Sequence, residues 1–517
     1  MSRSRIYMQQ RVFFATSKWN LKSVWIYCLL SVLCVLVIFS IVKVIIVGPN
    51  EFINECLELF GGDTKQNWVF LVAGSKGWDN YRHQADVSHA YQTLLNNGIP
   101  VDRIIVMMTD DVAFDPKNPY RGELFNHPNG SDVYQGVQVD YKGEEVRSEH
   151  FLNILNGNKA AMINLGSGRV IESKHRDNIF VYFVGHGTTG ILAFPENYLY
   201  ADELNNALQS MYSNRKFSSM LLYIDSCRAG SLFDGILSEY NSIFAVTAAG
   251  PRESSWSTYC NEGDGKPDVC LGDEFSCTWI EDQANLGKLY PLQVNELVEK
   301  RTVLNHFNYI RNTVKLSNVM PYGDFSIGQN KLSSYIGKSP EVFSKYSHYN
   351  NNALSFNTRN DTLKSSVKFS KNTYKPYQIK EQYNGKNNTM KQRTLYNSIM
   401  RKMMYKVFNT ILQNVIKQLP GFVEHIDELK ELPSNLPLNV FPCYRQTLDY
   451  ITTNCFSLPK NIYSLNEVHV FFNLCTRVID SKWKSEEFYV LFEQVVHNVC
   501  SKNSSTFSNL LKMINIY

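Results

Sequence analysis

A histidine and a cysteine each stand just beyond an apolar, β-branched run of this chain. Residues 181–184 lead to His186, and residues 221–224 lead to Cys227. Because ligands of open α/β sheets bind at the carboxyl ends of parallel strands, we expect the two side chains to meet there. A thiol beside an imidazole is a nucleophile with its general base, and the N–H groups of Gly187 and Cys227 are candidates to bind the oxyanion. The alternative to a catalytic pair is that each residue is structural, the cysteine as a buried side chain and the histidine as part of the core.

Alternating strands and helices between residues 66 and 328 are predicted to position this pair. Continuous apolar strands separated by helices are typical of a mostly parallel sheet that is covered on both faces. The predicted fold class is therefore α/β. The predicted strands are 69–73, 104–108, 179–184, 219–224 and 243–247, and the predicted helices are 84–97, 202–213 and 281–315.

The composition changes after residue 328. Residues 329–394 are rich in Asn, Lys, Ser and Tyr without a sustained period, which is typical of a linker. Apolar residues then recur at helical spacing from 395 to 432. We divide the chain into a basic N-terminus (1–22), an apolar segment (23–47), the α/β domain (66–328), the linker (329–394) and an all-α region (395–517).

The apolar segment contains an uncharged run from Ser23 to Val42, which is long enough to span a bilayer. Basic residues precede it, so we expect the N-terminus to stay cytoplasmic. We interpret 23–47 as an uncleaved signal anchor, although a cleaved signal peptide is the alternative. In both cases the α/β domain enters the secretory pathway and faces the lumen.

Cysteine usage agrees with an oxidising compartment. Cys443, Cys455, Cys475 and Cys500 predict two bridges with three possible connectivities, and Cys260 and Cys270 flank a loop across which they could pair. Glycosylation sequons fit a lumenal chain and occur at Asn129, Asn360, Asn387 and Asn503.

Charge is unevenly distributed. Residues 44–330 carry a net charge of −13, whereas residues 331–440 carry +10. We expect the basic segment to bind the acidic body rather than nucleic acid, for which no motif is present. A solvated basic linker is the alternative.

Several long motifs then identify a resemblance. The chain resembles the legumain family of asparaginyl endopeptidases, cysteine proteases with a caspase-like α/β/α sandwich, over about residues 66–328 and more loosely over 395–500. The motifs that carry the resemblance are 72–75 (VAGS), 80–86 (NYRHQAD), 107–111 (MMTDD), 127–137 (HPNGSDVYQGV), 251–255 (PRESS) and 271–273 (LGD).

The resemblance implies a role for each matching residue. Cys227 would be the nucleophile, His186 the general acid and base, and Asn80 the residue that orients the histidine. The pocket for the side chain before the scissile bond (S1) would comprise Arg82, His83, Asp225, Ser254, Ser255 and Asp273. Arg82 and Asp273 offer the donor and acceptor that match an asparagine amide, with a structural salt bridge as the alternative. Cleavage after aspartate would be weaker and confined to low pH.

The resemblance also implies control of activity. The C-terminal region would be a helical prodomain that inhibits a zymogen, with Cys443–Cys475 and Cys455–Cys500 bridges. Acid would protonate carboxylates of the body and release it, followed by self-cleavage in the asparagine-rich linker. Expected partners are peptides with asparagine before the scissile bond and cystatin-type inhibitors, and we expect no metal or cofactor. The expected destination is an acidic lysosome-like or vacuole-like compartment.

The sequence departs from the family pattern next to both catalytic residues. Gly185 replaces the aspartate that usually precedes the histidine and that the family links to peptide ligation. Asp225 replaces a glutamate, and Arg228 replaces the glutamate that usually follows the cysteine. The predicted anchor is a fourth departure. These differences leave two alternatives open, a transferase resembling the catalytic subunit of the GPI transamidase and an inactive pseudoprotease.

Overall fold

The computed structural model describes residues 65–260, 269–289, 301–337, 370–371, 388–419, 426–461, 464–481 and 484–514. The predicted cytoplasmic N-terminus, the predicted anchor at 23–47 and most of the predicted linker lie outside these ranges. Within them, no helix combines the length and the apolar character that crossing a bilayer requires. The anchor therefore stays a prediction from the sequence.

The α/β region alternates strands with helices, as the sequence predicts. Its elements in chain order are β1 (Asn67–Ala73), α1 (Tyr81–Asn96), β2 (Ile104–Met107), α2 (Ser148–Leu155), β3 (Asn178–Val184), β4 (Gly187–Thr188), β5 (Ile191–Ala193), β6 (Tyr198–Tyr200), α3 (Ala201–Ser213), β7 (Ser219–Asp225), β8 (Ile243–Thr247), β9 (Trp256–Cys260), β10 (Cys270–Asp273), α4 (Glu274–Leu289), α5 (Val303–Thr313), β11 (Met320–Gly323) and α6 (Ser333–Ile336).

A six-stranded sheet forms the centre, in the order β11-β8-β7-β3-β1-β2. All neighbours pair in parallel except β11, which runs antiparallel to β8. The strands are buried on both faces, which explains their continuous apolar sequence. One face packs on Val87 of α1, Trp279 of α4 and Phe307 of α5. The predicted α/β class with a mostly parallel sheet is confirmed, and it agrees with a caspase-like fold.

Three differences from the predicted elements follow from local chemistry. The edge strand β11 was not predicted, because Pro321 and Gly323 disfavour strands in sequence patterns. The predicted helix 281–315 is two helices, α4 and α5, and the stretch 290–300 between them lies outside the described residues. The hairpin strands β4, β5 and β6 were not predicted, because they are too short to show an alternating apolar pattern.

Residues after 337 continue as β12 (Ser370–Lys371), α7 (Asn388–Gln418), α8 (Phe441–Asn454), α9 (His469–Asp480) and α10 (Ser485–Ile514). We call α7 to α10 and their connections the C-terminal helical region. Disulfides join Cys443 of α8 to Cys475 of α9, and Cys455 to Cys500 of α10. These are the pairs that the resemblance implied. A third disulfide joins Cys260 to Cys270 between β9 and β10.

The second face of the central sheet shares its apolar core with the C-terminal helical region. Leu204 and Leu208 of α3 belong to the same buried cluster as Phe441 and Phe472. The rings of Tyr200 and Tyr444 meet edge to face, with centroids 5.8 Å apart. The helical region is therefore docked on the α/β region through apolar contacts.

Candidate active site

Adjacent strands bring His186 and Cys227 to the same edge of the central sheet. Val184 at the end of β3 is in register with Asp225 at the end of β7, and the Gly185 N–H donates to the Asp225 carbonyl over 3.0 Å. His186 and Cys227 each lie two residues beyond this last pair, as expected from the sequence. Both side chains are buried.

Asn80, the residue immediately before α1, contacts the histidine. Its Oδ1 lies 2.7 Å from His186 Nε2, and its Nδ2 donates to the Lys76 carbonyl over 2.7 Å. Because the amide nitrogen is engaged by a carbonyl, Oδ1 must accept from Nε2–H. The neutral ring then carries its lone pair on Nδ1, which is the nitrogen left to take a proton from a thiol.

Gly187 allows the histidine strand to approach the cysteine strand closely. A Cβ atom at this position would lie 2.7 Å from Ser226 Oγ and 3.0 Å from the Cys227 carbonyl oxygen. Any side chain here would push the two strand ends apart. The small residue is therefore required by the closeness of the two backbones.

Burial disfavours the charged forms of both the histidine and the cysteine. Desolvation, helped by the nearby Arg82 charge, lowers the pKa of His186 from 6.5 to about 3. Burial also raises the pKa of the Cys227 thiol. The reactive form of a cysteine is the thiolate, so this arrangement is a latent one.

The predicted S1 residues form a polar cluster at the start of α1 and at the end of β10. Arg82 Nε donates to Asp273 Oδ1 over 3.0 Å, and Asp273 Oδ2 lies 3.3 Å from His83 Nε2. Ser75 Oγ lies 2.6 Å from the other ring nitrogen of His83. Burial, followed by the Arg82 charge, lowers the pKa of His83, so we expect a neutral ring. The cluster joins the catalytic pair because the rings of His83 and His186 are 5.0 Å apart.

Asp225 lies beside this cluster but binds a different partner. Its Oδ2 accepts from the Ser276 hydroxyl at 2.7 Å and from the Ser276 N–H at 3.2 Å. Burial and the Asp273 charge raise the pKa of Asp225, and the same two causes raise the pKa of Asp86. Asp225 and Asp86 therefore lie buried beside the Arg82–Asp273 ion pair, and we expect protons to neutralise part of this group.

Ser254 and Ser255 connect the candidate nucleophile Cys227 to β9. Both are buried, and the carbonyl and hydroxyl oxygens of Ser255 each lie 3.9 Å from Cys227 Sγ. The chain continues directly into Trp256, the first residue of β9. The structure thus gathers the predicted catalytic and S1 residues at one end of the sheet.

Three residues around the pocket were not predicted as site residues. Ser75 fixes His83, Asp86 accepts from the Asp273 N–H over 3.1 Å, and Ser276 binds Asp225. Ser75 and Asp86 lie inside motifs that carried the resemblance. Ser276 lies in no such motif, and it reaches Asp225 only because α4 packs against β7.

The C-terminal helical region contacts the rim of this site. Phe441 and Leu436 pack over Gly190, three residues after the Gly187 backbone. The Arg445 guanidinium binds Asp202 over 2.8 Å, and Lys460 binds Glu196 over 2.8 Å. These two cations follow the segment 331–440, in which the sequence concentrates positive charge.

Known proteins of one family match this chain. The profile of the Peptidase C13 family matches residues 67–338. Bovine (Bos taurus) legumain is 35% identical over 416 residues, which cover 80% of this chain and 90% of the bovine protein. Human (Homo sapiens) legumain is 34% identical with the same two shares, 80% and 90%. The vacuolar-processing enzyme of Citrus sinensis is 43% identical over 53% of this chain and 55% of the plant protein.

The family match covers the whole central sheet and both candidate catalytic residues, and the match to the animal relatives extends over most of the chain. The chain therefore belongs to the Peptidase C13 family and is a protease related to legumain and vacuolar-processing enzyme.

Proposed function

We propose that this protein is a cysteine endopeptidase that cleaves peptide bonds after asparagine. The observation that carries the proposal is the His186–Asn80 hydrogen bond at the strand end next to Cys227. Cys227 Sγ attacks the scissile carbonyl after transfer of its proton to His186 Nδ1, and the imidazolium then protonates the leaving amine. Water hydrolyses the resulting thioester, with His186 as the base.

The pocket chemistry supports asparagine as the residue before the scissile bond. Arg82 supplies donors for the side-chain carbonyl oxygen, and Asp273 supplies acceptors for the amide NH₂. A substrate without this amide would leave buried groups of the pocket unpaired, which carries a large penalty. Cleavage after aspartate should be slower, since a carboxylate would face Asp273, and it should improve as acid protonates that substrate side chain.

We further propose that the chain is made as a zymogen that activates by self-cleavage in acid. The contacts of the C-terminal helical region beside the active site support inhibition by this region. The lumenal, acidic destination and the predicted anchor at 23–47 belong to the same proposal. Peptide ligation is not included, because Gly185 lacks the aspartate. A Cβ atom at position 185 would also lie 3.1 Å from the Phe183 ring and 3.3 Å from the Gly74 Cα, so a side chain fits poorly at this position.

A substrate panel tests the proposal. Peptides that differ only in Asn, Asp or Gln before the scissile bond are incubated with the acid-treated lumenal chain between about pH 4 and pH 7. We expect cleavage after Asn that is lost in Cys227→Ala. The matched control is Cys277→Ala, which removes the other free thiol that the structure describes and should retain cleavage. No cleavage by a processed sample would refute the proposal, and transfer of the acyl group to an added amine without hydrolysis would favour a transferase.

A further inference from the structure

Arg228 is a buried cation directly after the nucleophile. Its backbone is left-handed, with a φ of 57°, and its N–H donates to the Glu253 carbonyl over 2.7 Å. The guanidinium donates to the hydroxyls of Thr188 and Thr189 over 3.1 and 3.3 Å. Only 9% of the residue is exposed. These contacts fix the guanidinium between the ends of the histidine and cysteine strands.

The guanidinium lacks a bound anion in the described part of the chain. Its side-chain hydrogen bonds go to neutral hydroxyls, and no described carboxylate lies within salt-bridge distance of it. A buried charge without a counterion is costly. The titratable groups that face Arg228 from the C-terminal helical region are Tyr444, Glu467 and His469, of which Glu467 carries the complementary charge.

The sheet geometry shows which part of a substrate would reach Arg228. Strand β12 pairs antiparallel with β9, with Ser370 opposite Ser257 and Lys371 opposite Trp256. A substrate strand in this direction runs along β9 towards Ser255, beside Cys227. Residues beyond the scissile bond then pass Glu253, whose carbonyl holds the Arg228 backbone. Arg228 therefore lies on the leaving-group side.

We propose that Arg228 selects substrates with an acidic side chain immediately after the scissile bond, at P1′. In the docked form, the carboxylate of Glu467 supplies the negative charge near this cation. After release of the C-terminal helical region, the carboxylate of the substrate takes over that role with charge-assisted hydrogen bonds. This inference rests on the proposed function, since it concerns the substrates of the same Cys227.

The test compares peptides that are identical up to the asparagine and carry Asp, Asn or Lys at P1′. The acid-activated enzyme is assayed near pH 6, where a P1′ aspartate is ionised. We expect kcat/KM for P1′ Asp to exceed that for P1′ Asn by about tenfold. The preference should shrink as the pH falls through about 4, because the substrate carboxylate becomes protonated.

Arg228 variants separate recognition from a structural role. Arg228→Gln should abolish the Asp-over-Asn ratio, Arg228→Lys should keep most of it, and Arg228→Glu should reverse it in favour of P1′ Lys. The ratio is taken between substrates on one enzyme sample, so a loss of folded enzyme does not affect it. Equal rates for P1′ Asp and Asn in the wild type, or a ratio unchanged in Arg228→Gln, would overturn the proposal. Absence of any cleavage after asparagine would instead refute the proposed function.

Discussion

Acid should weaken the docking of the C-terminal helical region through His186, the candidate catalytic histidine. In the docked form, burial and the Arg82 charge hold the pKa of His186 at about 3 instead of 6.5. Release would expose the His186 ring to water, and its pKa would rise towards the ordinary value. The released form then binds a proton more readily, so the docked form loses stability as the pH falls below about 6.5 and continues to do so until about 3.

The size of this effect follows from the two pKa values. If release restores the ordinary pKa fully, His186 alone destabilises docking by up to about 2.5 kcal/mol at pH 4.5 relative to neutral pH. That corresponds to about a hundredfold rise in the population of the released form. Lowered pKa values of other buried groups add to this, including His469 of the helical region, whose pKa is lowered to about 4 by burial and by the Arg228 charge.

Hydrogen exchange in a catalytically silent chain measures the effect. Cys227→Ala prevents self-cleavage, and peptides covering 187–200 report on the segment under Phe441 and Leu436. Between pH 7 and pH 4.5 the protection of this segment, corrected for intrinsic exchange, should fall by about a hundredfold. In Cys227→Ala/His186→Gln the fall should be much smaller.

A second histidine provides the control. His175 is exposed on a turn before β3, so His175→Gln in the same background should keep the full pH dependence. If the fall in protection is the same with and without His186, the histidine does not contribute to acid release and the reasoning from its pKa is wrong.

Three further predictions concern the site and its processing. Asn80→Ala should lower kcat about tenfold or more with little change in KM, because the His186 ring loses its orienting bond; an unchanged kcat in steady-state assays would count against this role. Gly187→Ala should reduce kcat/KM about a hundredfold, since its Cβ would meet Ser226 and the Cys227 backbone. The matched control Gly328→Ala, whose Cβ would meet only the Leu304 side chain at 3.3 Å, should not. Self-cleavage should occur after Asn372, because the preceding residues Ser370 and Lys371 pair antiparallel with Ser257 and Trp256 of β9, in the direction proposed for a substrate strand. Terminal sequencing of the acid-processed fragments should find Thr373 first, and a different first residue would refute this prediction.

The sequence alone predicts the strands that have a long, continuously apolar run. Five central strands were predicted within a few residues, because strands buried on both faces are continuously apolar. The edge strand β11 was missed because an edge tolerates Pro321. The candidate S1 cluster was predicted from resemblance rather than from pattern, since Arg82 and Asp273 are 191 positions apart and only the fold brings them together.

Charge patterning was less informative about docking. The segment 331–440 carries most of the excess positive charge, yet the described ion pairs across the interface come from Arg445 and Lys460. The rest of the interface is apolar, with Tyr200 against Tyr444 and Phe441 over Gly190. Net charge reports long-range attraction, whereas specific contacts depend on individual side chains that net charge does not resolve.

Covalent labelling tests the central claim most directly. The acid-activated enzyme is treated with an electrophilic peptide that ends in asparagine and, separately, with one that ends in alanine, and the modified residue is located by mass spectrometry. The account predicts rapid modification of Cys227 by the asparagine reagent and slow modification by the alanine reagent. It also predicts that Arg82→Gln removes this difference, since the pocket loses its donor. Modification at another residue, or equal rates with both reagents, would contradict it.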